Sequence, residues 1–190
     1  MVTGAVLHTQ TYGGPAGAPA VVALHGIRGH CRRWRRLTEE HLPGLRVHGL
    51  DLRGHGLSTW APPWTLEQHA ADVLTTMDEL GLGRADVIGH SFGGAVALQA
   101  GVVLGEHCRG VVTLATQSAG CEHADQLGDT PLLLLHGTDD EILPPETSSV
   151  VQMLAGHGEV VLLPGAGHLL TQVAVELRER LSEWIPARFA

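Results

Sequence analysis

Short apolar runs alternate along the chain with Gly-rich or polar loops and with longer stretches whose apolar positions recur every three or four residues. This alternation predicts parallel strands joined by crossover helices. The strand-like runs are Ala20–Leu24, Arg46–Leu50, Ala85–Ile88, Gly110–Ala115, Pro131–His136 and Glu159–Leu163, with a further strand or hairpin within Ala5–Tyr12. Most lack polar alternation, as strands covered on both faces do. The stripe Leu66, Ala70, Val73, Leu74, Met77 and Leu80 predicts an amphipathic helix, and Thr65 with Gln68 gives it a capping-box start. Helices are also predicted over Arg32–His41, Phe92–Leu104, Thr147–Leu154 and Leu169–Trp184, with a turn at Gly13–Pro19 and a rigid loop at Trp60–Trp64.

Composition narrows the classes. A chain of 190 residues with 44% hydrophobic and 17% charged positions is expected to form one globular domain over 1–190. No apolar stretch reaches the roughly 20 residues that span a bilayer, and the first twenty residues lack the order of a signal peptide, so a cytoplasmic location and no membrane partner are expected. A net charge of −8 argues against nucleic acid as the main partner. All twelve basic residues are Arg, and Arg28, Arg32, Arg33, Arg35 and Arg36 crowd together. That cluster reads either as a solvated helix face balanced by Glu39 and Glu40, or as a site where Arg28 meets a substrate carboxylate or phosphate. Cys31, Cys108 and Cys121 form no C-x-x-C pair, and the thirteen His show no H-x-x-x-H spacing, so neither a disulfide framework nor a metal site is expected.

The chemistry concentrates in Gly89-His90-Ser91-Phe92-Gly93, between a predicted strand and a predicted helix. A serine lifted from so sharp a turn needs glycines two residues to either side, because side chains there would collide with backbone. Three further segments follow predicted strands: His25-Gly26-Ile27, where a backbone N–H can face an oxyanion; Asp139-Asp140 within HGTDDEILP; and His168 within PGAGHLL. The order is Ser, acid, His. Asp51-Leu-Arg-Gly-His-Gly-Leu-Ser58 reads as a structural turn, with Asp51 and Arg53 satisfying loop backbone.

The segments LHGIRGHCRRW, GLDLRGHGLS, VIGHSFGG, LLLLHGTDDEILP and LPGAGHLL resemble, in order, blocks of the α/β-hydrolase fold superfamily. The resemblance implies a mostly parallel central sheet with helices on both faces. It implies Ser91 as nucleophile, His168 as general base and acid, Asp140 as the orienting carboxylate, and the N–H groups of Ile27 and Phe92 as oxyanion hole. Of the adjacent acids, Pro144 four residues on points to Asp140, leaving Asp139 as a turn residue. Gly26, Arg28, His90 and Leu143 are the candidate substrate-binding residues, and no cofactor is implied.

The expected activity is serine hydrolysis of a carboxylic ester of a small substrate. Thioester hydrolysis, a lyase, C–C hydrolase or perhydrolase on the same triad, and a non-catalytic binding protein of this fold are the alternatives, because function lives in the pocket. Only the fifteen residues Thr116–Thr130 separate two predicted strands where relatives carry a helical lid, so a minimal or absent cap is expected. The open cleft would be walled by Ile27–Arg36, Trp60–Trp64, Gln117–Leu127 and Ile142–Leu143, and its exposed apolar residues favour self-association, for instance as a homodimer.

Overall fold

Five of the apolar runs become parallel strands because each is buried on both faces, with alternate residues entering different cores. The computed structural model describes residues 3–185. In β2 (Ala20–Leu24), Val21 and Ala23 enter one core and Val22 and Leu24 the other. Continuous apolarity is therefore two superposed period-two patterns.

Seven strands form one sheet in the order β1-β3-β2-β4-β5-β6-β7, with β1 (Thr9–Gly13) antiparallel and the rest parallel. The others are β3 (Arg46–Leu50), β4 (Ala85–His90), β5 (Cys108–Leu114), β6 (Leu132–Gly137) and β7 (Glu159–Leu163). One core lies under α2 (Leu66–Glu79), α3 (Phe92–Leu104) and α4 (Glu146–Ala155). The opposite core lies under α1 (Arg33–His41) and α5 (Ala174–Trp184). Thr65 caps α2 by accepting the Gln68 N–H at 3.3 Å, the expected capping start.

Several predicted boundaries move, three of them at the sheet edge or near the site. The strand expected within Ala5–Tyr12 is Thr9–Gly13, a polar sheet edge with no apolar run to mark it. The helix expected from Leu169 starts at Ala174, because Leu170 takes φ +55° and Thr171–Val173 form a 3-10 turn. Strand β4 runs on through Gly89 and His90, up to Ser91. Between β5 and β6 the chain carries one 3-10 turn, Ala124–Leu127, packed on α3 and α4, so that segment builds no multi-helix cap.

From β2 the chain crosses to β3 on one side, and from β3 it returns to β4 on the other. The carboxyl ends of β2 and β4 thus flank the point where strand order reverses, which is where ligands bind in open α/β sheets.

Candidate active site

Ser91 stands at that point, between β4 and α3, with φ +56° and ψ −121°. A non-glycine residue held there costs about 1–3 kcal/mol, which the surrounding structure must over-determine. Its N–H donates to Leu114 O at 2.9 Å, tying the elbow to the end of β5. A Cβ on Gly89 would lie 2.0 Å from Gly93 O, and one on Gly93 would lie 2.5 Å from the carbonyl oxygens of Leu24 and His25. These contacts are why the elbow has glycine on both sides.

The oxyanion segment follows β2. A Cβ on Gly26 would come 2.9 Å from the Cβ of Ser91, so the loop lies directly against the elbow. His25, fully buried, donates from Nδ1 to Gly26 O at 2.7 Å and accepts the Leu52 N–H at Nε2 at 3.0 Å. Accepting at Nε2 requires a neutral ring, and burial pushes its pKa down to about 4. Ile27 N–H and Phe92 N–H donate to no protein acceptor among the described residues.

Asp140 and His168 come from loops after β6 and β7. His168 Nδ1 donates to Asp140 Oδ2 at 2.8 Å, which leaves Nε2 as the basic nitrogen. Oδ1 of Asp140 accepts the N–H groups of Ile142 and Leu143 at 2.8 and 2.9 Å. Burial would raise the Asp140 pKa, yet the hydrogen bonds from Leu143, His168 and Ile142 outweigh it and hold the carboxyl below its usual range. Asp139 is exposed and accepts from Thr138 Oγ1 at 2.8 Å, so it is the turn residue. The Ser91 hydroxyl makes no hydrogen bond to His168 among the described residues; such contacts commonly tighten only with substrate bound.

The sequence did not single out His136. It is fully buried at the end of β6, and its Nε2 faces both Asp140 Oδ2 at 3.1 Å and Leu143 O at 3.0 Å. Two acceptors require a proton on Nε2, so Nδ1 accepts from Ser148 Oγ at 2.7 Å. Four N–H donors therefore surround Asp140. A polar residue ending an apolar strand, four positions before the acid, was the available signal.

The four expected substrate-binding residues separate. Gly26 abuts Ser91, whereas Arg28 is exposed on a φ +65° turn. Leu143 acts through its backbone, donating to Asp140 and accepting from His136. His90 is buried, donates from Nε2 to His168 O at 2.9 Å, and has its pKa pushed down to about 3 by burial and then by Arg33. The Arg cluster divides as well: Arg35 pairs with Glu39 and Arg36 with Glu40, both at 3.0 Å.

A cavity of about 410 Å³ lies beside His90, between α1 and the segment Leu169–Leu177. Of the expected walls only Arg33, Trp34 and Arg36 line it; the rest come from α1 farther on, from His90 and Leu114 at the sheet, and from the segment Leu169–Leu177. Ile27, Ile142 and Leu169, each close in sequence to a site residue, are 68%, 69% and 54% exposed, as expected without a cap.

The block around Asp51 has the structural role expected. Asp51 accepts the N–H groups of Cys31 and Leu57 at 2.6 and 3.0 Å, and Arg53 holds Asp72 with two bonds of 2.7 Å. His8, Cys31 and Asp51 also bring one donor atom each within 4.8 Å of one another, a grouping the sequence spacing hid. Both Asp51 oxygens there are already engaged by backbone N–H groups.

Comparison with known proteins identifies the family. A family model described as alpha/beta hydrolase fold matches residues 19–130, and the chain belongs to that family. Lipase LipV of Mycobacterium tuberculosis is 46% identical over 92 residues, covering 48% of this chain and 34% of that protein. The 2-succinyl-6-hydroxy-2,4-cyclohexadiene-1-carboxylate synthase of Salmonella agona is 35% identical over 95 residues, covering 50% and 37%. The chain thus spans about a third of the length of these two curated relatives. The monoacylglycerol lipase of Paleococcus ferrophilus superposes with a TM-score of 0.82 at 20% identity, covering 96% of this chain and 99% of that one.

Proposed function

We propose that the protein hydrolyses a carboxylic ester of a small substrate through an acyl-enzyme on Ser91. The observation that carries the reading is the His168–Asp140 bond of 2.8 Å in loops adjoining the strained Ser91 elbow. A relative named as a lipase and another named as a synthase show that membership of the family does not choose the reaction.

Asp140 fixes the His168 tautomer with Nε2 unprotonated, the state able to take a proton. As Ser91 Oγ attacks the ester carbon, its proton passes to His168 Nε2 and the carbonyl π electrons move onto oxygen. The N–H groups of Ile27 and Phe92 stabilise that oxyanion; one such donor is worth about 3–4 kcal/mol. Collapse expels the alkoxide, which takes the proton from His168. Water then repeats the sequence on the acyl-enzyme, releasing the acid and restoring Ser91.

Labelling by a fluorophosphonate, followed by turnover of esters and thioesters of graded chain length, tests this. Labelling and ester turnover that both vanish in Ser91→Ala are expected. Ester turnover retained by Ser91→Ala overturns the triad, and an unlabelled wild-type protein overturns the activity.

A further inference from the structure

We propose that His8, Cys31 and Asp51 bind a zinc ion that ties the segment leading into β1 to the loops after β2 and β3.

Three separate stretches of chain bring the donors together. His8 immediately precedes β1, Cys31 lies in the loop between β2 and α1, and Asp51 follows β3. An imidazole nitrogen, the thiol sulfur and a carboxylate oxygen all lie within 4.8 Å of one another. Backbone hydrogen bonds hold the arrangement by themselves. His8 donates its N–H to Ser58 Oγ at 2.8 Å and accepts the Asp51 N–H at 2.9 Å, while Cys31 donates its N–H to Asp51 Oδ1 at 2.6 Å. A tetrahedral zinc sets such donors about 3.3–3.6 Å apart, so rotating the His8 and Cys31 side chains inward by about 1 Å completes the fit.

The donor atoms retain capacity for a cation. The His8 ring makes no hydrogen bond among the described residues. The Cys31 thiol has Asp51 as its acceptor. The N–H groups of Cys31 and Leu57 take two of the roughly four lone-pair directions of the Asp51 carboxylate, and the thiol proton takes a third. A metal ion that replaces this proton leaves both backbone bonds intact.

Charge points the same way. Asp51 is 2% exposed and lies within 4 Å of no cationic side chain among the described residues. Zinc held by one thiolate, one carboxylate and a neutral imidazole leaves this buried cluster with no net charge. A cysteine nucleophile beside an imidazole and a carboxylate is the competing reading of the same side chains. Cys31 is itself 2% exposed, which keeps a substrate from its sulfur, whereas half-buried His8 opens the cluster to an ion. Sulfur and nitrogen donors favour zinc over magnesium or calcium, which take oxygen. With three protein donors, water completes the shell.

Titration of the full chain, stripped of metal by chelator and dialysis, tests the assignment. One zinc per chain should bind with a Kd of about 1 μM or lower and, at a hundredfold excess over Kd, raise Tm by about 5 °C. Cobalt(II) should give the near-ultraviolet charge-transfer band of a thiolate ligand, absent from Cys31→Ser and kept in Cys121→Ser. His8→Gln, a change at a half-buried position, should weaken zinc binding by about a hundredfold or more while the metal-free protein melts as wild type does. If Cys31→Ser does not fold, His8→Gln decides alone. A wild-type protein without the band, a Tm that zinc leaves unmoved, or zinc binding that survives His8→Gln overturns the proposal.

Discussion

His136 and His168 donate to the same oxygen, Asp140 Oδ2, at 3.1 and 2.8 Å. His136→Phe removes one of the four donors that hold Asp140, so the carboxylate is less firmly aimed at His168, and ester turnover at neutral pH should fall about tenfold with the fold retained. Steady-state kinetics check this, and unchanged turnover would limit His136 to a packing role.

The two adjacent acids separate in function. Asp140→Asn removes the negative acceptor for His168 Nδ1–H and should lower kcat by about 10⁴, while Asp139→Asn alters an exposed turn and should change it less than about threefold. Steady-state kinetics on the two purified variants check this, and the reverse ranking would move the acid to Asp139.

Glycines of the elbow should be intolerant where glycines elsewhere are not. An alanine Cβ at Gly89 meets Gly93 O at 2.0 Å, whereas one at Gly83 meets nothing within 4 Å. Gly89→Ala should destabilise by about 3 kcal/mol or more, and Gly83→Ala by less than about 0.5 kcal/mol. Thermal melts distinguish them; comparable Tm values for the two variants would mean that the strand and helix can separate at the elbow without cost.

Buried imidazoles contribute to the acid response. Burial lowers the folded-state pKa of His25 and His69 to about 4 and of His90 to about 3, against about 6.5 when unfolded. Below pH 6.5 the unfolded chain takes up protons that the folded one refuses. Stability should therefore be constant above about pH 7 and fall between pH 6.5 and about 4, by up to about 1.4 kcal/mol per pH unit for each group. Urea midpoints measured at pH 7 and pH 5 test the sign; a midpoint that does not drop would mean these rings find protonated partners in the fold.

The sequence by itself determined the sheet, its covering helices and the places where chemistry begins. Those features are local: apolar runs such as Val21–Leu24 mark strands buried twice over, and Gly89, whose Cβ would meet Gly93 O, marks a turn whose steric demand is met within five residues. Edges were less legible, since Thr9–Gly13 is ordered by pairing with β3 and not by burial of its own side chains. Pro144 pointed to Asp140 over Asp139 only through the family resemblance, and tertiary structure shows the physical ground: the β6 loop turns that carboxylate inward toward His168, 28 positions away. Tertiary structure also supplied His136, whose meaning comes from complete burial against Asp140 and Ser148, and it separated Arg33 from the paired Arg35 and Arg36. Hydrogen bonding and desolvation depend on what surrounds a group in space. Residues identical in type and adjacent in sequence therefore acquire different chemistry only once the chain has folded.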